Sequence, residues 1–114
     1  MQNATASKPH ARPPSDRPRV DLTLDAQADL REIWNHIAQD SVFQADRLLA
    51  RFSLKFDYLA CHHGLGRPRP ELAQGCRSYP LSKYCFYFRP TEDGILLLRV
   101  LHSARDIQQI AFRV

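Results

Sequence analysis

VDLTLDAQADLREIWNHIAQDSVFQADRLLARFSLKFDYL, residues 20–59, carries a short strand and two amphipathic helices in immediate succession. In Val20-Asp21-Leu22 apolar and polar residues alternate, as on a strand with one wet face. Thr23 or Asp25 then offers a side-chain oxygen to an early backbone N–H, which starts a helix. Ala26, Leu30, Ile33, Trp34 and Ile37 recur at helical spacing, and Asp29, Arg31, Glu32 and Asn35 fall mostly on the other side. Ser41-Val42-Phe43-Gln44 has the spacing of a capping box, so a second helix opens there. Its apolar stripe is Ala45, Leu48, Leu49, Phe52, Phe56 and Leu59, while Asp46, Arg47, Arg51, Lys55 and Asp57 mainly line the wet side. With so short a link between them, the helices form an antiparallel hairpin.

Gly64-Leu65-Gly66-Arg67-Pro68-Arg69-Pro70 ends the second helix, because glycine supplies a left-handed cap and proline cannot continue the helical ladder. This stretch reads as a loop, and its glycines lack the strand-to-helix setting of a phosphate-binding loop. Residues 76–80, 83–89 and 95–102 read as strands, the last two joined by Pro90-Thr91-Glu92-Asp93-Gly94. Tyr84, Phe86 and Phe88 share the face expected to meet the helices, with Lys83, Cys85, Tyr87 and Arg89 on the other. Leu96, Leu98 and Val100 share a face opposed by Arg99, and residues 103–112 add a short helix or a frayed strand. The expectation is an α+β fold: an N-terminal strand, a helical hairpin, then a three-stranded antiparallel sheet, in the order β-α-α-β-β-β.

The chain has 114 residues, 44% of them hydrophobic and 25% charged, an ordinary mixture for one compact domain. Its longest aliphatic run, Ile95 to Leu98, falls far short of the roughly 20 residues a membrane helix needs. Residues 1–19, MQNATASKPHARPPSDRPR, hold four of the eight prolines and almost no large apolar residue. They are expected to form a flexible basic arm rather than a secretory signal, leaving residues 20–114 as the folded domain of a cytoplasmic protein. Cys61, Cys76 and Cys85 are odd in number and form no CxxC pair, which speaks against a disulfide framework or a zinc ribbon and for buried thiols. Cys61-His62-His63 has ligand-type residues, but adjacent side chains do not converge on one ion and no second pair follows. No metal and no cofactor is therefore expected.

The net charge of +4 is unevenly distributed, with both ends basic and residues 20–63 acidic. Arg67, Arg69, Arg77, Lys83, Arg89, Arg99 and Arg105 recur through the strand half, interleaved with Tyr79, Tyr84 and Tyr87. Such a set suits phosphates and stacked bases, an acidic peptide, or plain solvation, and composition leaves all three open. Glu92-Asp93 sits at a hairpin tip, where solvation is explanation enough. His102, at a strand end near Arg99 and Arg105, is a candidate general base on RNA or, as the more common outcome, a hydrogen-bonded structural histidine.

Taken in order, ADLREIWNHIA at 28–38, ADRLL at 45–49, GRPRPEL at 66–72, RSYP at 77–80, the strand at 84–90, and residues 95–106 with RVLHSARD at 99–106 resemble the ParE toxins of the RelE/ParE superfamily. The resemblance covers nearly everything after residue 19. It implies the toxin of a bacterial type II toxin–antitoxin pair, neutralised by a small ParD-like antitoxin whose flexible C-terminal segment folds along it, with DNA gyrase as the target. The related RelE-like branch cuts messenger RNA on the ribosome, using basic side chains and usually a tyrosine or other acid–base residue near the C-terminus. Residues 110–114, IAFRV, contain no tyrosine, lysine or histidine, a departure that favours the ParE branch. On that branch no catalytic residue is implied, and partner binding is expected at Arg67, Arg77, Lys83, Arg99, His102 and Arg105. Neither membrane association nor stable nucleic-acid binding by the chain alone is expected. The alternatives are a RelE-like ribosome-dependent endonuclease and a non-toxic module that only binds antitoxin.

Overall fold

The computed structural model describes residues 18–105 and 107–113. Most of the predicted arm, residues 1–17, lies outside them. The described chain runs β1 (Arg19–Leu22), α1 (Leu24–Ala38), α2 (Val42–Cys61), β2 (Arg67–Pro68), β3 (Arg77–Leu81), β4 (Tyr84–Thr91) and β5 (Gly94–His102), followed by a 3-10 turn at Ile107–Gln109. The α+β class and the element order match the sequence reading. The sheet is larger than expected, because five strands join in the order β1-β5-β4-β3-β2. β1 pairs with β5 in parallel, and the short β2 forms the opposite edge within the stretch read as a loop.

Thr23 is the N-cap of α1, and its hydroxyl bonds in two directions. Oγ1 accepts from the Ala26 N–H at 3.0 Å and donates to the Leu98 carbonyl at 2.9 Å. A carboxylate at this position would cap the helix but would have no hydrogen to donate to the strand. At α2, Ser41 Oγ accepts from the Gln44 N–H at 3.1 Å, as the capping spacing predicts.

One face of the sheet packs beneath the helical hairpin. Phe52, Phe56 and Leu59 of α2 meet Phe86, Phe88, Ile95, Leu97 and Val100, with Ala26 filling the tight approach of α1. Phe86 lies edge-on to Phe52 at 5.1 Å and to Phe56 at 4.7 Å, and such pairs contribute about 0.5–1.5 kcal/mol each beyond their buried area. On the opposite face Cys76, Tyr87, Leu98 and Leu101 are covered by Leu72 and by Ile107, Ile110 and Phe112 of the C-terminal segment. At the start of β5, Gly94 stands against β1 so closely that a Cβ would run into the Arg19 backbone.

Several expectations are corrected. Leu96, Leu98 and Val100 do not share a face, because β5 is bulged: Tyr87 opposes Arg99 and Phe88 opposes Leu97, leaving Leu98 as an extra residue. Alternation fails across that residue, so Ile95, Leu97 and Val100 face the helices while Leu98 and Leu101 face away. Asp29 is not on the wet side of α1 but buried against β5. Of the three cysteines only Cys76 is buried, Cys85 is half-buried and Cys61 is exposed. No helix among the described residues is long and apolar enough to cross a membrane.

Candidate functional site

β1 covers β5 only from Gly94 to Leu97, so the second half of β5 presents an unpaired edge. Exposed backbone groups on such an edge invite unwanted pairing. Here the N-cap and first half of α1 satisfy them with side chains: the Thr23 hydroxyl donates to the Leu98 carbonyl, and the Asp29 carboxylate accepts the Val100 N–H at 3.0 Å. Asp29 also receives two bonds from Arg99, Nε at 2.7 Å and Nη2 at 2.8 Å, while Arg99 Nη1 donates to the Ala111 carbonyl at 2.8 Å. This fork raises the Arg99 pKa above its ordinary value, chiefly through the hydrogen bond to Asp29. Arg99 is thus a structural link among α1, β5 and the C-terminal segment.

Arg77 is also turned inward. Its Nε donates to the Leu65 carbonyl at 2.9 Å, and its Nη2 donates to Gly64 and Gly66 at 2.8 and 3.0 Å. It fastens the chain leaving α2, where Gly66 has a φ of 91°. Arg67 is exposed on β2, separated from β5 by β3 and β4. Among the described residues no ion pair or hydrogen bond engages the side chains of Arg67, Lys83 or Arg105.

Lys83, His102 and Arg105 come together at the C-terminal end of β5. Lys83 lies in the β3–β4 turn beside Ser82, whose φ of 57° is in the left-handed region. The Lys83 carbonyl accepts from the Ser103 N–H at 2.8 Å and from Ser103 Oγ at 3.0 Å. Within the turn that follows β5, the Ala104 N–H donates to His102 Nδ1 at 3.1 Å and the Arg105 N–H to the His102 carbonyl at 2.9 Å. His102 also meets the edge of Tyr84 at 5.5 Å. With the lone pair at Nδ1 engaged, the neutral ring carries its hydrogen on Nε2, so it offers a donor and no free base.

Beside this turn a cleft of about 280 Å³ opens between α1 and β5. Ile33, Tyr84, Val100 and Leu101 line it, together with Glu32 and His36 of α1 and His102 and Arg105 at the end of β5 and in the turn after it. Sequence reasoning picked out His102 and Arg105 but missed Glu32 and His36. Their spacing along α1 puts both on one flank of the apolar stripe, yet nothing local says which strand passes that flank. Among the described residues no three potential ligands gather for a metal ion, and the His62 ring stacks on Tyr58 at 4.5 Å.

No curated protein matches the sequence. Among solved structures, the fold is similar to a chain of the "Chromosomal ParDE TA system from P. aeruginosa", with a TM-score of 0.62 and 23% identity, covering 75% of this chain and 96% of that one. The sequence matches the family described as ParE toxin of type II toxin-antitoxin system, parDE, over residues 20–107, from β1 to the turn after β5. With that match spanning both helices and the whole sheet, the chain belongs to the ParE toxin family of type II toxin–antitoxin systems.

Proposed function

We propose that this chain is a cytoplasmic toxin that stalls DNA gyrase by binding rather than by chemistry, and that a ParD-like antitoxin neutralises it. The family match over residues 20–107 carries the reading. Two structural features support it. Lys83, His102 and Arg105 present open donors at one end of the sheet, and Phe43, Leu54 and Tyr58 are exposed on the outer side of α2 as apolar anchors for a partner. A binder shifts its target toward whichever state it prefers, and an antitoxin that covers the same surface removes free toxin by mass action.

The competing reading is a RelE-like ribonuclease, favoured by the meeting of His36, His102 and Arg105 in one cleft. The engagement of His102 Nδ1 by Ala104 counts against a general base at that residue. Expression alone, expression with the antitoxin from the neighbouring reading frame, and a gyrase supercoiling assay test the proposal together. Growth arrest, rescue, and dose-dependent loss of supercoiling are the expected results. Normal growth with soluble toxin present, or site-specific cuts in messenger RNA on reconstituted ribosomes with supercoiling untouched, would overturn it.

A further inference from the structure

The geometry of the cleft between α1 and β5 points to a site for a peptide carboxylate: an Asp or Glu side chain next to an apolar residue that fills the cleft. This rests on the reading above that the chain is controlled by a protein partner, and it specifies what that partner must present.

The apolar part of the lining comes from Ile33 and Tyr84 and from the Val100–Leu101 stretch of β5. A volume of about 280 Å³ falls just below the roughly 300–1,000 Å³ of small-molecule sites and suits one large side chain with its neighbour. His102 and Arg105 also line the cleft and bring two donors to it, the His102 Nε2–H and the Arg105 guanidinium. Both belong to a turn whose backbone and His102 ring are held by the bonds among Lys83, His102, Ser103, Ala104 and Arg105, so the ordering left for binding is chiefly that of the Arg105 side chain. A planar guanidinium beside a fixed N–H matches the two oxygens of a carboxylate.

Nucleic acid fits this surface less well. A phosphodiester chain draws its affinity from a track of cations. Among the described residues that line the cleft Arg105 is the one lysine or arginine, Arg67 is on the far edge of the sheet, and the acidic Glu32 belongs to the same lining. Glu32 sets selectivity, because it repels a second acid and leaves room for a single carboxylate at the Arg105 end.

The test is NMR on the labelled full chain, following the imidazole signals of His36 and His102 and the methyls of Ile33 and Val100. The probes are N-acetyl-Leu-Glu-amide, its isostere N-acetyl-Leu-Gln-amide, inorganic phosphate and a short oligodeoxythymidylate. Saturable shifts at those four residues are expected with the Leu-Glu peptide. Affinity should fall roughly ten-fold with the Leu-Gln peptide and in Arg105→Ala, as loss of a charged hydrogen bond implies, with partial recovery in Arg105→Lys. Glu32→Gln should strengthen binding about two- to three-fold. Equal binding of the two peptides, absence of shifts, or saturation by phosphate or the oligonucleotide at lower concentration would overturn the assignment. Growth arrest and antitoxin rescue are scored in parallel: if both persist while the peptide fails to bind, the cleft assignment falls and the toxin reading stands. Unimpaired growth under the wild-type chain would instead strike at the toxin reading.

Discussion

Asp29→Ala should be among the most damaging single changes available in this chain. The carboxylate is 7% exposed and its partner Arg99 13% exposed, so truncation leaves a guanidinium nearly out of water with no counter-charge. It also strips the Val100 N–H of its acceptor on the only stretch of β5 edge that β1 does not reach. Breaking a buried pair from one side costs roughly 3–5 kcal/mol, and the orphaned N–H places this case toward the upper end. Against a total of about 5–15 kcal/mol for a domain, that is a large fraction. At roughly 4–8 °C per kcal/mol the melting temperature should fall by about 15–40 °C. Urea denaturation followed by the fluorescence of Trp34, the single tryptophan, and by circular dichroism reads the change. Removing both charges with Asp29→Leu and Arg99→Met should recover much of the loss, because no isolated ion then remains in the interior. An additive double-mutant cycle, or a midpoint in Asp29→Ala close to that of the unmodified chain, would refute the reasoning.

Four further outcomes follow from the same structure. Trp34 is only half-buried and donates from Nε1 to Asp46 at 2.8 Å, so Trp34→Ala should cost about 1–3 kcal/mol, less than the 3–5 of a fully buried aromatic; a larger loss in urea would show deeper packing. Burial pushes the Cys76 thiol up to about 11 and raises Cys85, so a thiol reagent at pH 8 should react promptly with Cys61 alone, and prompt titration of all three would contradict this. Asp25 and Glu71 are held below the usual carboxylate range by hydrogen bonds from Arg113 and Arg69. Protons therefore prefer the unfolded chain, and the stability these groups add above about pH 4 is lost in acid; a urea midpoint unchanged from pH 6 to 3 would refute it. Ser82→Gly should stabilise by up to about 1 kcal/mol by relieving a left-handed backbone, and a loss of stability would mean that the serine side chain matters more than the strain.

The helical hairpin was legible because its stripes are long and regular, and because Ser41 and Thr23 mark the starts with side chains that cap. β5 was legible as a strand but not in its facing. Ile95-Leu96-Leu97-Leu98 is aliphatic throughout, so no polar residue marks the register, and the bulge at Leu98 left no local trace. Asp29 was misplaced for a different reason. Helical periodicity puts it on the border of the apolar stripe, and the partner that draws it inward, Arg99, is 70 residues away in sequence. The parallel pairing of β1 depends in the same way on contacts with the far end of the chain. At the candidate site, His102 and Arg105 stood out as a histidine and an arginine at a strand end, whereas Glu32 and His36 acquire their role only from the strand that passes them.

Basic composition by itself overstated the open positive surface. Arg77 and Arg99 donate to backbone carbonyls and to Asp29 inside the fold, while the side chains of Lys83 and Arg105 make no hydrogen bond or ion pair among the described residues. Replacing any of the four with alanine could weaken partner binding, but the cause would differ. Arg99→Ala removes the counter-charge of a buried carboxylate and should lower binding together with the denaturant midpoint, because less of the chain remains folded. Arg105→Ala leaves the backbone bonds of its turn in place and should lower binding at an unchanged midpoint. Measuring both quantities for each variant therefore separates residues that meet a partner from residues that hold the surface in shape. A matched loss of stability and binding in Arg105→Ala would move that residue, and the cleft beside it, into the second group.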